Sequence, residues 1–249
     1  MKTLLVGLAL LTAPAETQAD LWSEATSIDL LNANYPYIEH RFGPAKSGEV
    51  RKNSGDLTYM IGRCQIDVVI IQNRVSSYSF DVKPGCETVL GGNWAIGRVR
   101  IRPGLTFADV KRALSDDDSG QYYGSCIGNC AQILGNSADP SFGFRYDSPR
   151  AGISIELETD YHQGSSISEK WEAAIRRQYG LTIDTSLPIV TYECPTPLNA
   201  QVAQWFAAAT VTHVTVSQGE KPLGHGKCSS FIAEVAKAKR EGRDYTVFD

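Results

Sequence analysis

The run Cys64-Gln-Ile-Asp-Val-Val-Ile-Ile71-Gln-Asn-Arg74-Val-Ser-Ser-Tyr78-Ser-Phe-Asp81-Val82 decides the fold class. Ile66, Val68 and Ile70 recur at every second position, the pattern of a strand buried on one side. Gln72-Asn73 supplies a turn, and the return strand sets Ser76, Tyr78, Phe80 and Val82 on the matching side. Residues 58 to 82 therefore read as a β-hairpin with one apolar and one polar face. After the turn at Lys83-Pro84-Gly85, Cys86 folds back toward Cys64 at the hairpin's open end.

A second unit repeats this order. Thr106-Phe-Ala-Asp109 opens a short helix with an Asp in the place of the usual capping-box Glu, and Val110, Ala113 and Leu114 give its apolar stripe. Phe142, Phe144 and Tyr146 then alternate with Gly143, Arg145 and Asp147. Across Ser148-Pro149-Arg150, Ile153, Ile155 and Leu157 alternate with Ser154, Glu156 and Glu158. From residue 165 the period becomes helical. Ser166-Ile-Ser-Glu169 reads as a capping box before Trp171, Ala174, Ile175 and Tyr179, with Gly180 closing the helix. Thr196-Pro197 opens a helix carrying Leu198, Val202, Trp205, Phe206 and Ala209, Val211 to Val216 reads as a strand, and residues 230 to 241 form a last helix ending at Gly242. The expected class is α+β: tandem helix-plus-antiparallel-hairpin units at 20–97 and 98–164, each with a one-sided sheet, then a smaller helix-rich α/β C-terminal subdomain at 165–249.

The chain has 249 residues, 42% of them apolar and 21% charged, which excludes collagen-like and largely disordered classes. A formal charge of -4 with both signs dispersed argues against a nucleic-acid partner. Lys2 before Leu4, Leu5, Val6, Leu8, Leu10 and Leu11 reads as an export signal, with cleavage expected after Ala19. Leu4 to Leu11 falls far short of the ~20 residues of a membrane span. The expected location is periplasmic or secreted. In that oxidising setting Cys64, Cys86, Cys126, Cys130, Cys194 and Cys228 read as a disulfide framework. The connectivity is open, and neighbour pairing of Cys64 with Cys86, Cys126 with Cys130 and Cys194 with Cys228 is the simplest scheme.

Few residues point to catalysis. Asp160, His162, Ser165 and Ser166 collect the members of a Ser-His-Asp triad on what reads as one connecting loop, although triad members ordinarily come from separate elements. His213 in its Thr/Val-rich strand reads as structural. His225, three residues before Cys228, could ligate a metal, but its candidate partner Cys194 is better used in a disulfide. Cys126 and Cys130 form the alternative thiol-oxidoreductase reading, with three intervening residues where such pairs usually have two. Asp116-Asp117-Asp118-Ser-Gly120 lacks the alternate spacing of a calcium loop. Tyr35, Tyr37, Tyr122 and Tyr123 read as packing residues with sugar or peptide stacking as the alternative. No cofactor is implied. Arg98, Arg100 and Arg102 would align on one face of a strand at 97–102, either paired with acidic residues of neighbouring strands or open to an anion.

Gly104-Leu-Thr-Phe-Ala-Asp-Val110 resembles the Gly-apolar-Thr, two residues, acidic-Val helix opening of the SmpA/OmlA outer-membrane assembly lipoproteins. Phe42-Gly43-Pro44, Ile66 to Ile71 and Arg74-Val-Ser-Ser-Tyr78 are similar to that group's helix end and following strand-turn-strand. The related β-lactamase inhibitor proteins place two such units in tandem, and the resemblance covers roughly residues 30 to 160. It implies a non-enzymatic protein whose sheet surface contacts another protein. The anchoring Cys of the lipoproteins has no equivalent here, nor does residue 165 onward match either group. The leading functional expectation is an exported, disulfide-braced binding protein, an inhibitor, immunity factor or assembly accessory, whose partner is another envelope or secreted protein. Its contact face would be the polar side of the two hairpins, Gln65, Asp67, Ser77, Ser79 and Asp81 with Arg145, Asp147, Glu156 and Glu158. That face carries five acidic side chains and one Arg, so a basic partner would be steered to it. The rival class is an envelope hydrolase built around His162.

Overall fold

A computed structural model describes residues 17–90, 98–113, 120–124, 142–148, 152–179, 199–219, 237 and 240–242. The chain runs α1 (Gln18–Ala25), a 3-10 turn (Ile28–Leu30), α2 (Tyr35–Phe42), β1 (Ser47–Gly48), β2 (Gly55–Ile61), β3 (Cys64–Ile71), β4 (Arg74–Asp81), β5 (Thr88–Leu90), β6 (Val99–Ile101) and α3 (Phe107–Ala113). It continues with β7 (Gly120–Gly124), β8 (Phe142–Ser148), β9 (Ile153–Glu158), α4 (Tyr161–Tyr179), α5 (Asn199–Ala207) and β10 (His213–Gln218). One antiparallel eight-stranded sheet has the order β1-β2-β3-β4-β10-β9-β8-β7, and β5 and β6 form a separate pair. The class is α+β, with two meanders, β2-β3-β4 and β7-β8-β9, meeting across β10.

The β3–β4 hairpin forms where the sequence predicts it. Gln72 and Asn73 both have positive φ, at 53° and 62°, the conformation a two-residue hairpin turn requires. Its register slips between Val69 and Ile70, so Val69 opposes Ser77 and Ile70 opposes Val75. Ser76 is thus the extra residue of a β-bulge and does not share the apolar face as expected. The bulge lets Val75 and Tyr78 both enter the core. A third strand, β2, adds Leu57, Tyr59 and Ile61 to the same side.

The sheet's apolar face is covered by helices. Trp22 of α1 lies edge-on to Phe80 at 5.4 Å, and its indole N–H donates to the Cys86 carbonyl at 3.0 Å. Arg41 of α2 clamps α1 through Glu24 at 2.6 Å, and this pairing holds the Glu24 carboxyl below the usual range. Over the second meander Phe206 of α5 meets Phe107, Tyr122 and Trp171. Gly143 is required by close approach, since a Cβ there would lie 2.1 Å from the Leu157 carbonyl oxygen.

Two predicted boundaries change. Helix α4 starts at Tyr161, so the expected loop at Asp160 to Ser166 is helical and Ser166 to Glu169 lies inside it. Asp160 is the cap that the pattern at Ser166 obscured, accepting from the His162 and Gln163 amides at 3.0 and 3.1 Å. The strand expected at Val211 begins at His213 and reaches Gln218. Thr106 and Asp109 do form the reciprocal box, but Ala113 is exposed. Leu114, Gly180, Thr196 to Leu198 and most of 230–241 lie outside the described residues. The divisions at 97/98 and 164/165 do not divide the sheet, because β10, from the third segment, bonds β4 of the first and β9 of the second.

Candidate functional site

Period-two alternation sends every second residue of the meanders and β10 to the side away from the helices. The register joins these positions into rows. Thr58, Asp67, Ser79, Thr215, Glu156 and Arg145 lie on one row across six strands. A parallel row runs Ser77, Ser217, Ser154 and Asp147, and another joins Asp81, His213 and Glu158. The two hairpins that the sequence treats separately thus contribute to one polar surface. Asp67 is fixed on it by Thr58 Oγ1 at 2.7 Å and by Gln65 Nε2 at 3.1 Å.

The surface is open over β2, β3, β4 and β10 and closed at Arg145 of β8 and Ser154 of β9. Asp67, Ser77, Ser79 and Thr215 are half-buried and Gln65 is exposed, whereas Arg145 is 2% exposed and Ser154 1%. Arg145 therefore leaves the expected free face, its guanidinium 3.6 Å from Glu156. Glu156 and Glu158 are half-buried and engaged with neighbours. Asp147 keeps its predicted register opposite Ser154.

Asp81 is the most interconnected group. Lys83 Nζ lies 2.8 Å from Asp81 Oδ2, and His213 Nδ1 lies 2.9 Å from Oδ1. Partial burial raises the Asp81 pKa, but the hydrogen bonds from Lys83 and His213 outweigh it and hold the carboxyl below the usual range. Sequence reasoning placed Asp81 on the face and missed His213, Thr215 and Thr58. Their alternation was visible, but His213 could be aimed at Asp81 only once β10 was known to pair with β4.

The remaining predictions fall as follows. Cys64 and Cys86 are disulfide-bonded with a Cα–Cα distance of 5.6 Å, while Cys126, Cys130, Cys194, Cys228, His225 and Asp116 to Asp118 lie outside the described residues. Arg98, Arg100 and Arg102 are exposed, with Val99 and Ile101 buried between them. The arginines stand on the small β5–β6 pair. Asp160, His162, Ser165 and Ser166 occupy the start of one helix, with the Asp160 carboxylate taken by backbone amides, and that hold lowers its pKa. Tyr122 is buried and stacked on Phe206 at 4.8 Å. Tyr35 and Tyr37 donate to Glu39 and Glu24. Among the described residues, no group of three His, Cys, Asp or Glu is placed to hold a metal, and no helix is long and apolar enough to cross a membrane. No protein-family model matches this chain, nor does any curated protein or solved structure, so the likeness to the SmpA/OmlA and inhibitor families rests on the residue patterns of 30–160 alone.

Proposed function

We propose that the chain is an exported, disulfide-braced binding protein that engages another envelope or secreted protein through the polar face of β2, β3, β4 and β10. The observation that carries this reading is the contrast along one sheet: the same row of side chains is sealed at Arg145 and open at Asp67, Ser79 and Thr215. An open antiparallel face offers a rigid surface on which Asp67 is already held in place, which costs little ordering entropy when a partner docks. Asp56, exposed two residues before Thr58 on β2, joins Gln65 and Asp67 to give it an acidic, hydrogen-bonding character that suits a basic partner.

Capture with chemical crosslinking from an envelope extract tests it, with the chain from Asp20 onward as bait. Ser77→Arg with Ser79→Arg should leave the fold intact and abolish capture, because two long cations then stand in the middle of the face. Wild-type capture should weaken as salt rises. Unchanged capture by the double variant would place the contact elsewhere and refute the assignment. Export itself predicts a secreted product whose intact mass starts at Asp20. Recovery of the chain still beginning at Met1 would contradict it.

A further inference from the structure

We infer that the β5–β6 pair is a second binding surface, for a linear anionic polysaccharide, lying apart from the polar face of the large sheet. Strand β6 and its flanks expose Arg98, Arg100 and Arg102 on one side, while Val99 and Ile101 are buried on the other. Alternate positions of an extended segment repeat every ~6.6 Å, so the Cα atoms of the three arginines span about 13 Å. Arg63, at the β2–β3 turn, adds a fourth. Its guanidinium lies over Gly85, where any Cβ would collide with it, and both Arg63 and Arg100 act on Glu87. Glu87 is the acidic residue against this group, and its carboxylate is already engaged by the Gly85 amide at 3.1 Å. Among the described residues, four arginines beside this one carboxylate leave a local positive surplus on a chain whose total charge is -4.

The kind of cation and its layout select the partner. All four are Arg, whose planar fork binds carboxylate, sulfate and phosphate oxygens in pairs, where Lys would act only as a point charge. A straight row of forks matches a chain that repeats its anions along a line. The described ribbon residues hold no aromatic side chain on which a base could stack, which disfavours single-stranded nucleic acid. Among the described residues of the ribbon, Val89 opposite Arg100 is the one large exposed apolar group, too little for insertion into a lipid surface. The net negative charge does not forbid this contact, because charges more than about 10 Å away are screened at ordinary salt while the ladder touches its ligand directly.

Heparin and polygalacturonate serve as sulfated and carboxylated probes, with neutral dextran as the blank and the full exported chain as analyte. The acidic chain should be retained on both anionic matrices at low salt, although its total charge predicts repulsion. Arg98→Gln, Arg100→Gln and Arg102→Gln together should abolish retention, and each single change should lower the slope of log affinity against log salt by about one, as at other polyelectrolyte contacts. Arg98→Gln and Arg102→Gln lie outside the paired residues of β6, so they report even where the triple variant folds poorly. Arg51→Gln with Arg74→Gln, removing two exposed arginines elsewhere, should change nothing. Passage of the wild-type chain through both matrices, retention of the triple variant, or tighter binding to phosphatidylglycerol vesicles or to a single-stranded oligonucleotide would each overturn the proposal.

Discussion

A guanidinium almost sealed from solvent needs a counter-charge, and Arg145 has Glu156 at 3.6 Å across the β8–β9 pair. Removing Glu156 leaves a buried guanidinium without this counter-charge, whereas removing the guanidinium leaves a carboxylate that is 29% exposed and can hydrate. Glu156→Lys should therefore destabilise the protein by about 3 kcal/mol, and Arg145→Met by less than half of that, measured by urea denaturation. A larger loss for Arg145→Met would show that the guanidinium organises the closed part of the face. Asp81 behaves differently because it is half exposed. Its folded pKa lies below its unfolded value, so it stabilises the native state above the unfolded pKa near 4, and that contribution disappears as pH falls through the folded pKa. Screening by solvent limits the effect to about 0.5 kcal/mol. Asp81→Asn should thus cost about that much at pH 7 and nothing at pH 2, and an equal cost at both would assign the loss to geometry instead of charge.

At the scale of elements, β10 is the strand on which the two meanders depend. It bonds β4 on one side and β9 on the other, and Val214 at its centre is fully buried opposite Phe80 and Leu157. Val214→Pro removes a ladder donor from a strand with neighbours on both sides and should cost 3 kcal/mol or more, enough to prevent folding in a marginal domain. The disulfide works at the opposite end of the first meander. It ties the start of β3 to the segment leading into β5 across a separation of 22 residues, so Cys86→Ser with Cys64→Ser should lower stability by about 3 kcal/mol in the chain-entropy account. Both bonding partners were legible in the sequence because a hairpin and a following turn bring them together whatever the rest of the chain does. The bulge at Ser76 was not legible, since Ser76 and Val75 fit either register and only the demand to bury both Val75 and Tyr78 decides between them. The start of α4 was hidden for a similar reason: Ser166-Ile-Ser-Glu169 satisfies the capping pattern, but Asp160 caps earlier and Gln163 then bonds Thr210 beside β10.

The whole molecule follows from one non-local pairing. Alternation in the sequence fixes which face of each hairpin is apolar, and this much transferred intact from residues 66–70 and 153–157 to the structure. It carries no information on which hairpin lies beside which, because β4 and β9 have equally suitable edges and β10 is some 55 residues beyond β9 in the chain. The open part of the polar face could be read residue by residue for that reason, and its closure over Arg145 could not. A single sheet through all three segments has a thermodynamic consequence. Phe80 and Leu157, from different meanders, flank Val214 on one row of the core, so neither meander can bury its apolar face fully while the other is unfolded. The chain should therefore unfold in one transition, with calorimetric and van't Hoff enthalpies equal and with amides in 64–81 and 153–158 exchanging at the same limiting free energy. A fragment ending at residue 164 lacks β10, α5 and all but the first turn of α4 and should show no cooperative transition at all. Two resolved transitions, or a fragment that melts cooperatively, would mean that each meander closes its own core and that β10 only bridges two finished units.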